Sequence, residues 1–152
     1  VGRDGLVINE FMAVNRSTLE DPAETGAFPD WIELYNGGAD TIDLEGLFLT
    51  DDLQQKTQWS FAPGMSLAPG AFMVLYADND DEQGVDHTNF KLDGLGEGLA
   101  LIDDDGETVL DRIVFDQQLD DVSYGRLGDG GKSWGYQFEP TPGTPNQSQH
   151  TD

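Results

Sequence analysis

The chain has 152 residues, no cysteine, and 30 acidic against 7 basic side chains, which gives a formal net charge of −23 at pH 7. A surface this negative repels phosphate backbones and anionic lipids, so we expect no nucleic-acid partner, and the absence of cysteine excludes disulfides and zinc–thiolate sites. The length suits one domain. The excess of acidic side chains has three possible interpretations: adaptation to high salt, binding of divalent cations, and solubility.

The first predicted element is a strand over residues 6–13, followed by a long polar connection. Leu6, Ile8 and Met12 share one face of this strand if side chains alternate strictly, and Glu10 interrupts that face. A polar connection of this length in a compact domain is often functional. The N-terminal segment therefore predicts a half-buried strand with one acidic side chain on its apolar face.

The stretch Asp30–Asn36 has the clearest strand pattern in the chain. Trp31 and Tyr35 alternate with apolar side chains such as Leu34, and a glycine pair follows at residues 37–38. Because both faces carry large side chains, this segment predicts a central strand of a sandwich.

Further short strands follow at intervals separated by glycine and proline. They are predicted at residues 43–50, 71–76, 89–92, 99–102, 108–115, 123–126 and 133–136. The pattern predicts an all-β fold, an antiparallel sandwich of about eight to nine strands. We expect the core to include Trp31, Leu34, Phe48, Phe72, Leu75, Leu101 and Ile113. Residues 140–146, rich in proline, are expected to lead out of a domain spanning residues 1–146, with 147–152 as a disordered tail or linker.

Several short motifs, taken in order, resemble the lamin tail domain in its bacterial form. They are Ile8-Asn9-Glu10, Asp30-Trp31-Ile32-Glu33-Leu34-Tyr35-Asn36, Leu44-Glu45-Gly46, Leu49-Thr50-Asp51-Asp52, His87-Thr88-Asn89-Phe90-Lys91-Leu92, Gly96-Glu97, Ser123-Tyr124-Gly125-Arg126 and Pro140-Thr141-Pro142-Gly143. The resemblance implies an immunoglobulin-like β-sandwich. In bacteria, similar domains occur in secreted or surface proteins, often beside enzymatic domains, and are not themselves catalytic. In nuclear lamins the domain is an interaction module, and the family provides no catalytic residues to transfer.

The sequence offers little that favours an enzyme. A Ser-His-Asp site would have to use His87 with a serine such as Ser60 or Ser123, and no serine lies in a Gly-x-Ser-x-Gly turn. Residues 130–133 resemble the end of a phosphate-binding loop, but Arg126 stands where that motif requires glycine. We expect Arg126 to form a structural ion pair and His87 to order its loop.

The acidic loops predict a calcium site at one end of the sandwich. An up-and-down strand order would bring half of the 30 acidic side chains to that end. Carboxylates held together repel, and hard divalent cations with oxygen ligands relieve this repulsion best. The predicted ligands are Asp78, Asp80 and Asp86, with Asp30 or Asp51 as additions. A solvated acidic surface without an ordered ion is the alternative.

We therefore expect a non-catalytic binding or adhesion module, monomeric in isolation, that is part of a larger secreted or surface bacterial protein. Its location would be extracellular or at the cell surface, and its partner a protein or a cell-surface glycan. The alternative is a calcium-stabilised accessory domain of a secreted hydrolase, with carbohydrate as its ligand. Trp31, Trp59 and Trp134 are expected in the core rather than on a sugar-binding platform. No apolar run has the length of a membrane span, so we expect no membrane insertion.

Overall fold

The computed structural model describes residues 3–146, which form strands and one short 3₁₀ turn at Asp81–Gln83. The strands are β1 (Leu6–Met12), β2 (Asp30–Asn36), β3 (Ile42–Asp43), β4 (Phe48–Thr50), β5 (Trp59–Ser60), β6 (Ser66–Leu67), β7 (Phe72–Ala77), β8 (Glu97–Ile102), β9 (Val109–Phe115), β10 (Ser123–Arg126) and β11 (Trp134–Gln137). These eleven strands exceed the eight to nine predicted, because β3, β5 and β6 are two-residue pieces that sequence patterns do not resolve. No helix in residues 3–146 is long and apolar enough to cross a membrane.

The strands form an antiparallel immunoglobulin-like sandwich, which confirms the predicted fold class. One sheet has the order β11-β10-β1-β2-β7, a second has the order β5-β4-β8-β9, and β3 pairs with β6. The buried core takes side chains from both larger sheets, including Ile8 and Leu34 from the first and Leu49 and Leu101 from the second. The strand β2 lies between β1 and β7, as predicted from the large side chains on both of its faces.

Four of the seven predicted core residues are fully buried, namely Trp31, Leu34, Leu75 and Leu101. The other three, Phe48, Phe72 and Ile113, are only half-buried. Phe72 and Ile113 lie on the edge strands β7 and β9, and Phe48 lines an open cleft. An edge or cleft position leaves one side of a large side chain without a protein neighbour.

A β-bulge in β1 overturns the predicted face of this strand. The pairing of β1 with β2 shifts register between Ile8 and Glu10, so that one residue is inserted in β1. A one-residue slip moves every later side chain to the opposite face. Phe11 therefore joins Leu6 and Ile8 in the hydrophobic cluster between the sheets, whereas Met12, although fully buried, lies outside that cluster opposite Trp31.

Two predicted strands are wrong in part or in whole. The segment 43–50 is split by a turn at residues 44–47, in which Gly46 has φ +82°. Residues 89–92 form no strand, although Phe90 and Leu92 are buried. The Leu92 N–H donates to the Asp30 side chain at 2.8 Å, so a carboxylate supplies the partner that a neighbouring strand would have given.

The proline-rich segment 140–146, hereafter the strap, packs on the five-stranded sheet instead of leading away from it. Within the strap, Gly143 N–H donates to Glu33 at 2.7 Å, and the Asn146 amide donates to the backbone oxygens of Asn9 and Arg126. Proline removes N–H donors but leaves a stiff segment whose remaining polar groups bind side chains of the sheet. The predicted tail at 147–152 lies outside the described residues, and the domain range 1–146 stays a prediction.

A largely buried ion pair connects the two sheets, as expected for Arg126. Arg126 on β10 lies 2.7 Å from Asp111 on β9, and its Nε donates to the Ile8 carbonyl at 2.8 Å. The same Asp111 oxygen accepts the Ile8 N–H at 2.8 Å. One arginine and one aspartate thus hold β1, β9 and β10 in a fixed arrangement.

Candidate functional site

The loop that follows β7 folds back on that strand at one end of the sandwich. The Tyr76 N–H donates to the Asp86 carbonyl at 2.8 Å, and the Thr88 N–H donates to the Tyr76 carbonyl at 2.9 Å. Between these two bonds, the His87 ring stacks on the Tyr76 ring with centroids 5.2 Å apart. This pairing fixes the position of His87, which is 2% exposed.

Three carboxylates surround the His87 ring. Nδ1 lies 2.7 Å from Asp78 Oδ2, while Nε2 lies 3.5 Å from Asp86 Oδ1 and 3.8 Å from Asp21 Oδ1. We call His87, Asp21, Asp78 and Asp86 the His87 cluster. Within residues 3–146, Asp21, Asp78 and His87 are the one group of three potential metal ligands whose atoms converge to within 4.8 Å.

The connection 14–29 supplies Asp21, a residue that the sequence analysis did not identify as a ligand. Its side chain is 1% exposed, and its Oδ1 accepts the Ala23 N–H at 2.8 Å. This turn geometry is common for aspartate and carries no information about a distant histidine. Only the tertiary fold brings Asp21 to His87, so no local signal was available.

The five predicted calcium ligands fall into separate groups. Asp78 and Asp86 belong to the His87 cluster, and Asp80 precedes the 3₁₀ turn with an exposed side chain. Asp30 and Asp51 also lie near Glu97: burial first, and then the charges of Asp51 and Asp30, raise the pKa of Glu97 to about 7. Asp30 borders a surface pocket together with Asp78. Calcium binding by these residues stays a prediction.

Burial also raises the pKa of Asp30 and of Asp51. The pKa of Asp30 rises to about 7, against the opposing effect of the hydrogen bond from the Leu92 N–H. For Asp51 the rise is opposed mainly by the side chain of Gln58. Protonation of Asp30 near neutral pH relieves part of the repulsion without an ion.

A cleft of about 510 Å³ opens beside the His87 cluster. Its lining includes Phe48, Thr57, Gln58, Trp59, Ser60, Val85, His87 and Asn89. The Asn89 amide donates to the Gln58 carbonyl at 2.7 Å, which closes one wall. Trp59 contributes to the wall but is 6% exposed, in agreement with its expected core position, and Val85 at the rim is 60% exposed.

A second set of buried acids lies beneath the strap. Glu10 and Glu33 are direct cross-strand neighbours, and both are fully buried. Glu10 accepts hydrogen bonds from Ser123 and from the Thr141 hydroxyl and N–H, and Glu33 accepts from the Gly143 N–H. Burial raises the pKa of both groups, and the neighbouring Glu10 charge raises that of Glu33 further, to about 8.

Most of this architecture lies within the part of the chain that matches a known family. A family model described as Lamin Tail Domain matches residues 2–116, which include strands β1 to β9 and the whole His87 cluster. Neither a curated protein nor a solved structure matches the chain. The match covers more than half of the chain and agrees with the motifs at residues 8–10 and 30–36. The chain therefore belongs to the Lamin Tail Domain family.

Proposed function

We propose that this domain is a binding or adhesion module of a larger secreted or cell-surface protein. The Lamin Tail Domain family consists of non-catalytic immunoglobulin-like domains, which supports binding rather than turnover. The contacts of His87 point the same way, because its ring atoms approach three carboxylates and an aromatic ring rather than a hydroxyl nucleophile.

The observation that carries the proposal is the cleft beside the His87 cluster. Its volume of about 510 Å³ falls within the range of small-ligand sites, and its walls combine apolar rings with amide and hydroxyl groups. The exposed Val85 gives the rim an apolar contact. A neutral or cationic partner suits this position, because a domain of net charge −23 repels anions.

A carbohydrate-binding accessory domain of a hydrolase is the second candidate. The hydroxyl and amide groups of Thr57, Gln58, Ser60 and Asn89 in one cleft favour it, since sugars are bound through such groups. The two candidates differ in their ligand, a protein segment for the first and a glycan for the second. They share the same cleft, so one set of variants tests both.

The test compares two single substitutions of equal chemistry. Val85→Asp places a charge on the rim of the cleft, and Leu95→Asp places the same charge on a side chain that is 77% exposed and does not line the cleft. Binding of the purified domain to a glycan array, to protease-treated cells and to glycosidase-treated cells is measured. We expect Val85→Asp to weaken binding about tenfold or more and Leu95→Asp to leave it unchanged.

The treatments separate the two candidates, and the variants test the cleft. Loss of binding after protease treatment supports a protein partner, and loss after glycosidase treatment supports a glycan. Equal effects of Val85→Asp and Leu95→Asp on binding would show that the cleft is not the binding surface. A hydrolase activity that His87→Ala abolishes would overturn the non-catalytic assignment.

A further inference from the structure

We propose that the His87 cluster binds a divalent ion of the zinc class, through His87 Nε2 and the carboxylates of Asp21 and Asp86. Asp78 would serve as the outer carboxylate that orients the imidazole. The proposal does not depend on which partner binds the cleft, although His87 also lines that cleft. It also differs from the calcium site predicted from the acidic loops, because an imidazole nitrogen and a carboxylate from the connection 14–29 are part of it.

The hydrogen bonding of His87 leaves Nε2 as the ligand atom. Nδ1 lies 2.7 Å from Asp78 Oδ2, a distance at which an Nδ1 proton is donated to the carboxylate. In the neutral ring with this tautomer, Nε2 presents a lone pair, and its nearest charged neighbours are the oxygens of Asp86 at 3.5 Å and Asp21 at 3.8 Å. Metal-bound histidines in proteins commonly donate their other N–H to a carboxylate in this way, which fixes the ring and raises its basicity.

The surroundings of Nε2 favour a positive charge, which a proton on the ring or a bound cation can supply. The ring is 2% exposed, and two carboxylate oxygens, of Asp86 and Asp21, face Nε2 at 3.5 and 3.8 Å. A lone pair facing two carboxylates in a buried position is repulsive. A cation between the three atoms removes this repulsion, and it would share Asp21 Oδ1 with the Ala23 N–H.

The spacing suits zinc better than calcium. Two ligand atoms bound about 2.0–2.1 Å from a tetrahedral zinc ion lie about 3.3–3.4 Å apart, close to the 3.5 and 3.8 Å that separate Nε2 from the oxygens of Asp86 and Asp21. Asp86 lies outside the group of atoms that converge to within 4.8 Å, so its side chain must rotate toward Asp21 to complete the site. Calcium takes six to eight oxygen ligands, whereas this site offers an imidazole and few carboxylates. Borderline ions such as zinc accept nitrogen and oxygen together.

The site also has an adaptable ligand and an entry path. The Asp86 side chain is 45% exposed and has room to rotate toward an ion, while Asp21 is held by the Ala23 N–H. His87 lines the 510 Å³ cleft, which connects the cluster with solvent. Because Asp21 and His87 come from different loops, a bound ion would tie the connection 14–29 to the loop after β7.

The experiment is calorimetric titration of the untagged 152-residue chain with zinc chloride and, separately, with calcium chloride in a non-chelating buffer. We expect one zinc ion per chain and about a tenfold or greater preference for zinc over calcium. The melting temperature should rise by about 5–10 °C when zinc exceeds its Kd a hundredfold. Cobalt in place of zinc should give the visible absorption of a four-coordinate site with nitrogen and oxygen ligands.

Matched variants locate the site. His87→Gln and Asp21→Asn should abolish stoichiometric zinc binding, and Asp78→Asn should weaken it about 10–100-fold. The control is Asp80→Asn, which removes the same charge from the same loop but from a side chain outside the His87 cluster, and it should bind zinc normally.

Three results would overturn the proposal. They are the absence of stoichiometric zinc binding, zinc binding that survives His87→Gln and Asp21→Asn, and calcium binding as tight as that of zinc. If His87→Gln does not fold, Asp21→Asn and the ¹⁵N chemical shift of Nε2 in the native chain decide the question. That shift must move when zinc is added, whereas a proton on Nε2 that persists with zinc present contradicts the assignment.

Discussion

The buried carboxylate of Glu33 makes the stability of this domain fall as pH rises. The pKa of Glu33 increases from 4.5 to about 8, first because the group is buried and second because of the Glu10 charge. A raised pKa means that the folded state binds more protons than the unfolded state. The stabilisation is therefore complete below pH 4.5 and is lost as the pH rises to about 8.

The magnitude follows from the size of this shift. At 1.36 kcal/mol per pKa unit, a rise from 4.5 to about 8 corresponds to an upper value of about 5 kcal/mol. The N–H of Gly143 and the amide of Asn9 donate to Glu33 and stabilise its ionised form, which limits the effect. We expect Glu33 to contribute a decrease in the free energy of unfolding of about 2–4 kcal/mol across this range.

The assay is urea unfolding of the native chain and of Glu33→Gln at several pH values from 4.5 to 8. Glutamine keeps the shape of the side chain and cannot ionise, so the variant should lose part of the slope. The remaining slope comes from Asp30 and Glu97, whose pKa values burial raises to about 7, and from Glu10. Glu45→Gln, at an exposed turn position, is the control. A native stability that is constant or increases between pH 4.5 and 8 would refute this reasoning, as would an equal effect of the control.

Three further predictions concern the core, the ion pair and the net charge. Trp31→Ala should lower the free energy of unfolding by about 3–5 kcal/mol, because Trp31 is fully buried, and a loss below 1 kcal/mol in urea unfolding would contradict its packing. Arg126→Met should cost about 3–5 kcal/mol by leaving Asp111 without its cation, and the double variant with Asp111→Leu should recover part of that loss. The melting temperature should increase from low to molar sodium chloride, because salt screens the repulsion of a net charge of −23, and a flat profile in calorimetry would count against this effect.

The fold was predictable where side-chain alternation and turn residues agree. The strand Asp30–Asn36 was predicted with its observed bounds, since Pro29 precedes it and a glycine pair follows it. The predicted strand at residues 89–92 failed because its backbone groups bind loops and side chains: the Leu92 N–H donates to the Asp30 carboxylate, about sixty positions away, and the Phe90 carbonyl accepts from the Asn79 N–H. A sequence pattern reports side-chain burial, and buried residues outside strands produce the same pattern.

The candidate site was predictable only in part, for a similar reason. Asp78, Asp86 and His87 lie within ten positions of one another, so a loop rich in ligand types was visible in the sequence. Asp21 comes from another loop, and the sheet pairing of β2 with β7 decides that the two loops meet. Asp30 and Asp51 were assigned to the same end, and both raise the pKa of Glu97, which the prediction did not include. Charge composition identifies an acidic end and does not show which carboxylates converge.

The bulge in β1 brings two buried carboxylates together, and the strap supplies hydrogen-bond donors to them. The inserted residue places Glu10 directly opposite Glu33, so two carboxylates share one covered face of the sheet. Such a pair is costly unless hydrogen-bond donors reach it, and Thr141 and Gly143 provide donors from the strap. The family match ends at residue 116, before the strap begins. Residues beyond that match therefore supply contacts on which the buried acids of β1 and β2 depend, and the strap is part of the packed structure rather than a spacer that follows it.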